Sequence, residues 1–255
     1  MTDIAKTRSL NGTGQSPVLA RPYALLAALL CLWFGLLALF ALVPVLDIMA
    51  AGRFFTAEAC APGTGTGPDC GRFAWADIRA LVVLRYLLYY LPHLFGVILL
   101  VQVLRAWKNP NRFEPGFARR GWIYLLALIA GPVILVNGIL KQVSGRPRPY
   151  QTDLFGGDLD FHVAGDFAGK CLKNCSFISG EASGMGWIVC LIILLPERFR
   201  IPGGAALVAA SLVGAGLRVA FGGHYASDAI LGYLSSIVLV VDMAVIIGWP
   251  SRVRN

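Results

Sequence analysis

The feature that most constrains the fold of this chain is a run of 25 residues, Pro22 to Leu46, without a single charged side chain. A helix needs about 20 apolar residues to cross the hydrocarbon core of a bilayer, and further apolar stretches follow along the chain. Charged residues make up only 14% of the sequence, against about 25% in an ordinary soluble domain. These features exclude a soluble globular enzyme, a disordered chain and a coiled coil, and they predict a membrane protein.

The apolar stretches predict an all-α, polytopic membrane protein with six transmembrane helices. The predicted spans lie at about residues 22–46, 80–104, 121–140, 179–195, 201–221 and 226–249. A signal peptide is the alternative for the first stretch, but the run is too long and lacks a convincing cleavage site. Residues 1–21 are polar and lack aromatic side chains, so we expect a disordered cytoplasmic tail followed by one membrane domain, residues 22–250.

The distribution of basic residues predicts the orientation of the spans. The net charge is +8, and 12 of the 22 lysines and arginines lie in the N-terminal tail, the 105–120 loop, the 198–200 turn and the C-terminus. Short loops rich in lysine and arginine stay on the cytoplasmic side, so this charge reflects topology and we expect no nucleic-acid partner. Both termini are then cytoplasmic in a bacterial inner membrane, and loops 47–79, 141–181 and 222–228 face outward.

Four cysteines lie in two of these outward loops, Cys60 with Cys70 and Cys171 with Cys175. Outward cysteines suit an oxidising compartment such as the periplasm. Pairing within each loop is the favoured connectivity, although four cysteines allow three. Their spacing fits zinc binding poorly.

A cluster of cations leaves the outer end of the third span. Lys141, Arg146 and Arg148 lie within eight residues, and Pro147 and Pro149 restrict the backbone between and after the arginines. Arginine offers a planar pair of donors that matches phosphate oxygens. The segment therefore predicts an anion-binding clamp, with binding of lipid headgroups as the alternative.

A second cluster opens the short fourth span. Ser179 and Gly180 precede an apolar run, and the free amides at such a helix N-terminus form a ready anion site. Gly180 would leave room for a ligand oxygen to approach the backbone. Taken alone, the cluster is better explained by an ordinary N-cap.

A third cluster joins the last two spans. Arg218 ends the fifth span, and His224 and Asp228 open the sixth. The four-residue spacing predicts that the carboxylate reaches one imidazole nitrogen and leaves the other free to attack. A histidine–aspartate pair by itself is more often structural than catalytic.

Together the three clusters resemble the type-2 phosphatidic acid phosphatase family, the membrane branch of a superfamily that also contains soluble acid phosphatases and vanadium haloperoxidases. The matching residues are Lys141, Arg148 and Pro149, then Ser179 and Gly180, then Arg218, His224 and Asp228. The resemblance covers roughly residues 80–250, and six spans are what such membrane members have.

The resemblance implies a phosphatase mechanism. His224 would attack phosphorus and form a phosphohistidine, and Asp228 would orient the imidazole. The resemblance also implies the phosphate-binding groups: the cations Lys141, Arg148 and Arg218, with the amides near Ser179 and Gly180. Because three cations would neutralise the phosphoryl oxygens, we expect neither a metal ion nor another cofactor.

Three positions in two of the motifs depart from the family pattern. The second motif of the family reads Pro-Ser-Gly-His, whereas this chain has Ile178 and Glu181 around the shared Ser-Gly, and Leu217 replaces a serine in the third motif. Glu181 thus occupies the place of the family's proton donor. If Glu181 is protonated it can donate a proton. If it is ionised it positions an arginine, and the site would then favour better leaving groups, such as undecaprenyl diphosphate or the anomeric phosphate of lipid A.

The sequence therefore predicts a membrane phosphatase for lipid phosphates or diphosphates, with its active site facing outward. Candidate substrates are undecaprenyl diphosphate, lipid A phosphate, phosphatidylglycerophosphate and phosphatidate, and the oligomeric state stays open. A lipid phosphotransferase and a non-catalytic lipid-binding or transport protein are the alternatives. Asp158, Asp160 and His162 could instead hold a divalent ion, although a solvated acidic loop is the favoured explanation.

Overall fold

The structure, a computed structural model, describes residues 17–58 and 70–248. In these ranges the helices are α1 (Pro17–Leu42), α2 (Val45–Gly52), α3 (Arg79–Lys108), α4 (Phe117–Leu128), α5 (Lys141–Val143), α6 (Gly180–Cys190), α7 (Glu197–Ala220) and α8 (Ala226–Ile247). A π-helical segment, Ile129–Leu140, joins α4 to α5. Strands β1 (Phe55–Glu58) and β2 (Cys70–Phe73) form an antiparallel hairpin. The all-α class is confirmed.

Five helices in the described part of the chain are long and apolar enough to cross a membrane. They are α1, α3, the continuous helix Phe117–Val143, α7 and α8. The remaining apolar helix runs from Gly180 to Leu194 when the 3-10 turn after α6 is included. At about 1.5 Å per residue it reaches about 22 Å, short of the ~30 Å hydrocarbon core. The count of six spans therefore stays a prediction.

The first predicted span, 22–46, is interrupted near its outer end. Helix α1 ends at Leu42, and α2 begins at Val45, directly after Pro44. Proline lacks a backbone N–H and disfavours the helical conformation of the residue before it. The 47–79 loop therefore contains most of α2 and the hairpin, neither of which the sequence analysis predicted.

Some predictions fall outside the described residues. These are the tail from residue 1 to 16, the cysteine at position 60 and the C-terminal basic residues. Cys70 is disulfide-bonded, but its predicted partner Cys60 lies in the range that the structure leaves undescribed. The predicted bridge between Cys171 and Cys175 is present.

Helix α6 is central to the bundle, where it packs against α3, α7 and α8. Its glycines allow this close packing, because a Cβ atom at Gly186 would overlap the carbonyl oxygen of Tyr233 on α8. Trp187 is fully buried, and its Nε1 donates a hydrogen bond of 2.7 Å to the carbonyl of Tyr124 on α4. These contacts fix the position of the N-terminus of α6 relative to its neighbours.

A long loop, residues 144–179, covers one end of the bundle. Phe155 of this loop packs against buried Phe73 and Tyr225, together with Ala51 of α2. This end of the bundle brings together α5, the first turn of α6, the last turn of α7 and the first turn of α8.

Candidate active site

Five of the eight predicted site residues line one cavity of about 450 Å³ at the covered end of the bundle. They are Lys141, Arg148, Gly180, Glu181 and Arg218. The same cavity continues between α3 and α4 past Pro92, Leu128 and Val133. It therefore combines a cationic end with an apolar groove along the helices.

The other three predicted residues, Ser179, His224 and Asp228, are fully buried behind this cavity. The Nδ1 atom of His224 lies 2.8 Å from the carbonyl oxygen of Ser176 and donates a hydrogen bond to it. This contact places the proton on Nδ1 and leaves the lone pair on Nε2. Among the described residues, Nε2 is buried without a hydrogen-bond partner.

The surroundings of His224 keep its imidazole neutral. Burial lowers the pKa of His224 to about 3, the nearby Asp228 carboxylate opposes this shift only in part, and Arg218 and Lys141 reinforce it. A neutral imidazole with a free lone pair is the form that can attack phosphorus.

Asp228 acts on His224 mainly through a neighbour. Its carboxylate is 3.8 Å from Nδ1 of His224, which is beyond hydrogen-bond range. Instead, Oδ2 accepts hydrogen bonds of 2.5 Å from the Ser176 hydroxyl and 3.0 Å from the Tyr225 backbone N–H. Because Ser176 also supplies the carbonyl that holds the imidazole, Asp228 fixes the segment that positions His224.

A buried ionic network holds Asp228 in turn. Arg146 has no exposed surface, and its guanidinium donates hydrogen bonds to Asp228 at 2.6 Å and to Asp47 at 2.8 Å. Asp47 also accepts hydrogen bonds from the backbone and hydroxyl of Ser227. Burial would lower the pKa of Arg146, but Asp228 and Asp47 raise it above its usual value. Arg146 therefore ties the covering loop to α2 and α8.

The three predicted cations occupy different positions at the cavity. Lys141 and Arg218 are almost completely buried. Arg148 is partly exposed, and its Nε and Nη2 donate to the carbonyl oxygen of Asn174 at 3.2 and 3.0 Å. Gly223 permits the placement of Arg218, because a Cβ atom there would lie 2.6 Å from the guanidinium.

Glu181 is paired with two arginines. Arg85 of α3 donates from Nε and Nη2 to the two carboxylate oxygens, at 3.0 and 2.5 Å. Nε of Arg218 lies 3.3 Å from Oε1 of Glu181. Both carboxylate oxygens of Glu181 thus accept hydrogen bonds from Arg85.

Ser179 and Gly180 shape the first turn of α6. The hydroxyl of Ser179 accepts a hydrogen bond of 3.3 Å from the Ala182 backbone N–H, as an N-cap does. A Cβ atom at Gly180 would lie 2.6 Å from Oδ1 of Asn137. The absence of a side chain at Gly180 therefore gives Asn137 access to the cavity.

Comparison with known proteins identifies the group to which this arrangement belongs. A sequence profile described as the PAP2 superfamily matches residues 120–251, a range that includes all eight predicted site residues. The chain belongs to the PAP2 superfamily. No solved structure gives a significant match to it.

Curated relatives within the PAP2 superfamily cover most of the chain. The chain is 40% identical over 209 residues to lipid A 4′-phosphatase of Rhizobium leguminosarum, which covers 82% of this chain and 90% of the relative. It is 39% identical over 229 residues to lipid A 4′-phosphatase of Rhizobium etli, with 88% and 89% covered. It is 28% identical over 215 residues to lipid A 4′-phosphatase of Francisella tularensis subsp. novicida, with 83% and 90% covered.

These comparisons confirm the family resemblance and the predicted class of enzyme. The chain is a bacterial, multi-pass PAP2 membrane protein that acts as a phosphatase on lipid phosphates. Its lipid substrate and its association with the membrane follow from the same relatives and from the apolar helices.

Three residues at this PAP2 site have contacts that the sequence analysis does not predict. Arg85 belongs to none of the three motifs, and the sequence analysis gives Arg146 a role only in the anion clamp. Asp47, the third residue, ends the uncharged run of the first span. The sequence does contain a signal for Arg85 and Asp47. Each is a charged residue at the border of an apolar span, where a charge is expected to have a partner.

The alternative metal site has other partners in the structure. His162 Nδ1 lies 2.8 Å from Asp166, and Asp160 lies 3.4 Å from Lys170. Within residues 17–58 and 70–248, no group of three or more His, Cys, Asp or Glu side chains is arranged to hold a metal ion.

Proposed function

We propose that the chain hydrolyses the 4′-phosphate of lipid A through a phosphohistidine at His224, on the periplasmic face of the inner membrane. The names of the relatives over more than four fifths of the chain support this substrate. The observation that carries the mechanism is the buried, unpartnered Nε2 of His224 behind the cavity lined by Lys141, Arg148 and Arg218.

The proposed chemistry has two steps. Nε2 attacks phosphorus, the bond from phosphorus to the sugar oxygen breaks, and that oxygen takes a proton from water. The hydroxide that remains attacks the phosphohistidine, the nitrogen–phosphorus bond breaks, and neutral His224 and inorganic phosphate result. The charge on the phosphoryl oxygens is neutralised by Lys141, Arg148 and Arg218, so the proposal includes no metal ion.

The apolar part of the cavity fits a lipid substrate. The groove along α3 and α4 leads from Lys141 to Leu128 and Val133, which lie on a helix long and apolar enough to cross a membrane. A phosphorylated sugar at the cationic end would therefore leave its acyl chains next to apolar surface.

The positional specificity can be tested with a lipid A that carries phosphate on both sugars. We expect purified protein to release one phosphate, and tandem mass spectrometry to locate the loss at position 4′. The same rate in EDTA is expected, because the proposal uses no divalent ion. Release from position 1, or faster turnover of undecaprenyl diphosphate or phosphatidate, would contradict the proposed substrate.

Glu181 is proposed as a positioning residue that holds Arg85 and Arg218, rather than as the proton donor. The names of the relatives favour the 4′-phosphate over the anomeric phosphate that the sequence analysis attached to this role, and the leaving oxygen then takes its proton from water. We expect Glu181→Gln to lower kcat/KM by about 10- to 100-fold, the cost of one charge-assisted hydrogen bond. The loss should be equal for alkyl phosphates and for aryl phosphates, whose leaving groups need no proton.

The matched control for this prediction is Arg85→Gln, which removes the other half of the pair. Because both variants break the same interaction, the double variant should lose little more activity than either single variant. A much larger loss on alkyl phosphates than on aryl phosphates would instead identify Glu181 as a general acid.

The outward orientation can be tested by labelling single cysteines with a membrane-impermeant maleimide in intact spheroplasts. In a background with Cys31→Ser and Cys190→Ser, we expect Asp160→Cys to be labelled and Arg112→Cys to be protected. Both positions are exposed on the protein, so only the membrane distinguishes them. The reverse pattern would place the active site on the cytoplasmic side.

A further inference from the structure

A second cavity, of about 500 Å³, lies at the other end of the bundle. Its lining residues come from the turn before α4, the start of α4, the segment after α6 and the start of α7. Arg120, which lines it, and Lys141, which lines the active-site cavity, are both on the continuous helix Phe117–Val143. At about 1.5 Å per residue the two cavities are about 30 Å apart, so the second one takes no part in the phosphatase reaction.

The lining of this second cavity is cationic. Arg112, Arg120 and Arg200 contribute to it. Arg120 is buried and is held by Glu114 and by the carbonyl oxygen of Pro115, each at 3.2 Å. Arg200 has longer contacts, 3.4 Å to the Leu195 carbonyl oxygen and 3.9 Å to Oε1 of Glu197, and its buried Nε has no hydrogen-bond partner among the described residues.

Two helix N-termini add to the attraction for an anion. Helices α4 and α7 begin at Phe117 and Glu197, and both residues line the cavity. Their N-cap residues, Gly116 and Pro196, provide no side-chain cap. The N-terminal amides of a helix carry a partial positive charge and bind anions.

The rest of the lining is apolar. Phe113, Phe117, Ile193, Leu194 and Leu195 face the cavity. The space exists because the helix that begins at Gly180 ends at Leu194, short of the bilayer thickness. The acyl chain of a lipid beside the bundle would fill this apolar space. The headgroup of the same lipid would then contact the arginines.

We propose that this cavity binds the phosphodiester headgroup of an anionic phospholipid from the leaflet opposite the active site. The three arginines are opposed by Glu114 and Glu197, which leaves the lining a net charge of +1. That charge matches a phosphodiester with one negative charge better than inorganic phosphate, which carries nearly two. The apolar residues next to the arginines favour a lipid over a free ion.

The test measures the melting temperature of the purified full-length protein in mixed micelles with rising fractions of phosphatidylglycerol. This lipid is a phosphodiester, so a monoester phosphatase does not consume it. We expect saturable stabilisation by phosphatidylglycerol and none by phosphatidylcholine. The double variant Arg112→Gln/Arg200→Gln should raise the half-saturating fraction about tenfold or more, because each lost charge-assisted hydrogen bond weakens binding by about that factor.

The matched control is Arg105→Gln/Lys108→Gln, which removes two charges from the last turn of α3, at the same end of the molecule but outside the cavity. It should keep the wild-type response to phosphatidylglycerol. If both double variants weakened the response to phosphatidylglycerol equally, the effect would reflect general surface charge. This cavity would then not be the binding site. Stabilisation by inorganic phosphate that is lost in Arg112→Gln/Arg200→Gln would overturn the lipid assignment, because phosphate bound at the active site would still stabilise that variant.

Discussion

Replacement of the proposed nucleophile, His224→Ala, is expected to abolish turnover and to leave the protein folded. The loss should be about 10⁴-fold or more, the size seen when a covalent nucleophile is removed from an enzyme. The Nε2 atom makes no hydrogen bond in the described structure, so the variant loses the imidazole's reactivity and only the contact of Nδ1 with Ser176. Initial rates on lipid phosphate in detergent measure the effect.

A second measurement distinguishes covalent catalysis from electrostatic stabilisation of the transition state. Brief reaction with substrate labelled at phosphorus should leave acid-labile phosphate on the wild-type protein and none on His224→Ala. The control is His162→Ala, which alters an imidazole outside the cavity that is paired with Asp166. It should keep near-wild-type activity. Strong activity in His224→Ala would exclude the phosphohistidine, and loss of activity in His162→Ala would revive the metal alternative.

The residues of the three motifs were predictable because each motif is local in sequence. Lys141 and Arg148 belong to one segment, and Arg218 and His224 to another. Hydropathy placed both segments at the same side of the membrane. The resemblance to the phosphatase family then implied that these segments form one site, since topology alone places them only on one side of the membrane.

The direct contact between His224 and Asp228 that the four-residue spacing predicts is absent from the structure. The four-residue spacing brings side chains together only within a helix. Helix α8 begins at Ala226, so His224 lies outside it and the carboxylate is 3.8 Å from Nδ1. The intervening Ser176 comes from a loop 48 residues earlier.

The ion pairs at the site could not be predicted from the sequence for a similar reason. Arg85 and Glu181 are 96 residues apart, and Arg146 and Asp47 are 99 residues apart. Such pairs depend on how the helices pack. Hydropathy also does not reveal the central position of α6, because a short helix with several glycines resembles a weak membrane span. Those glycines allow α6 to pack closely at the centre of the bundle.

Arg146 and Arg148 are two residues apart in one motif, yet their substitution should have opposite consequences. Arg146→Met removes the charge between Asp47 and Asp228 and leaves two carboxylates buried without a counter-charge. Breaking a buried ion pair in this way costs about 3–5 kcal/mol, a large part of the stability of a typical protein. We expect a strongly lowered melting temperature and little monodisperse protein in detergent.

The matched control for Arg146→Met is Arg148→Met, the same change of side chain at a partly exposed position whose hydrogen bonds go to the carbonyl oxygen of Asn174. It should fold with a near-wild-type melting temperature and lose phosphatase activity. Adding Asp47→Asn to Arg146→Met should recover part of the lost stability, because one unpaired charge then disappears from the interior. If Arg146→Met melted like the wild type and lost only activity, Arg146 would be a phosphate-binding residue. The buried network would then be dispensable, and another contact would have to hold Asp228 and the segment that positions His224.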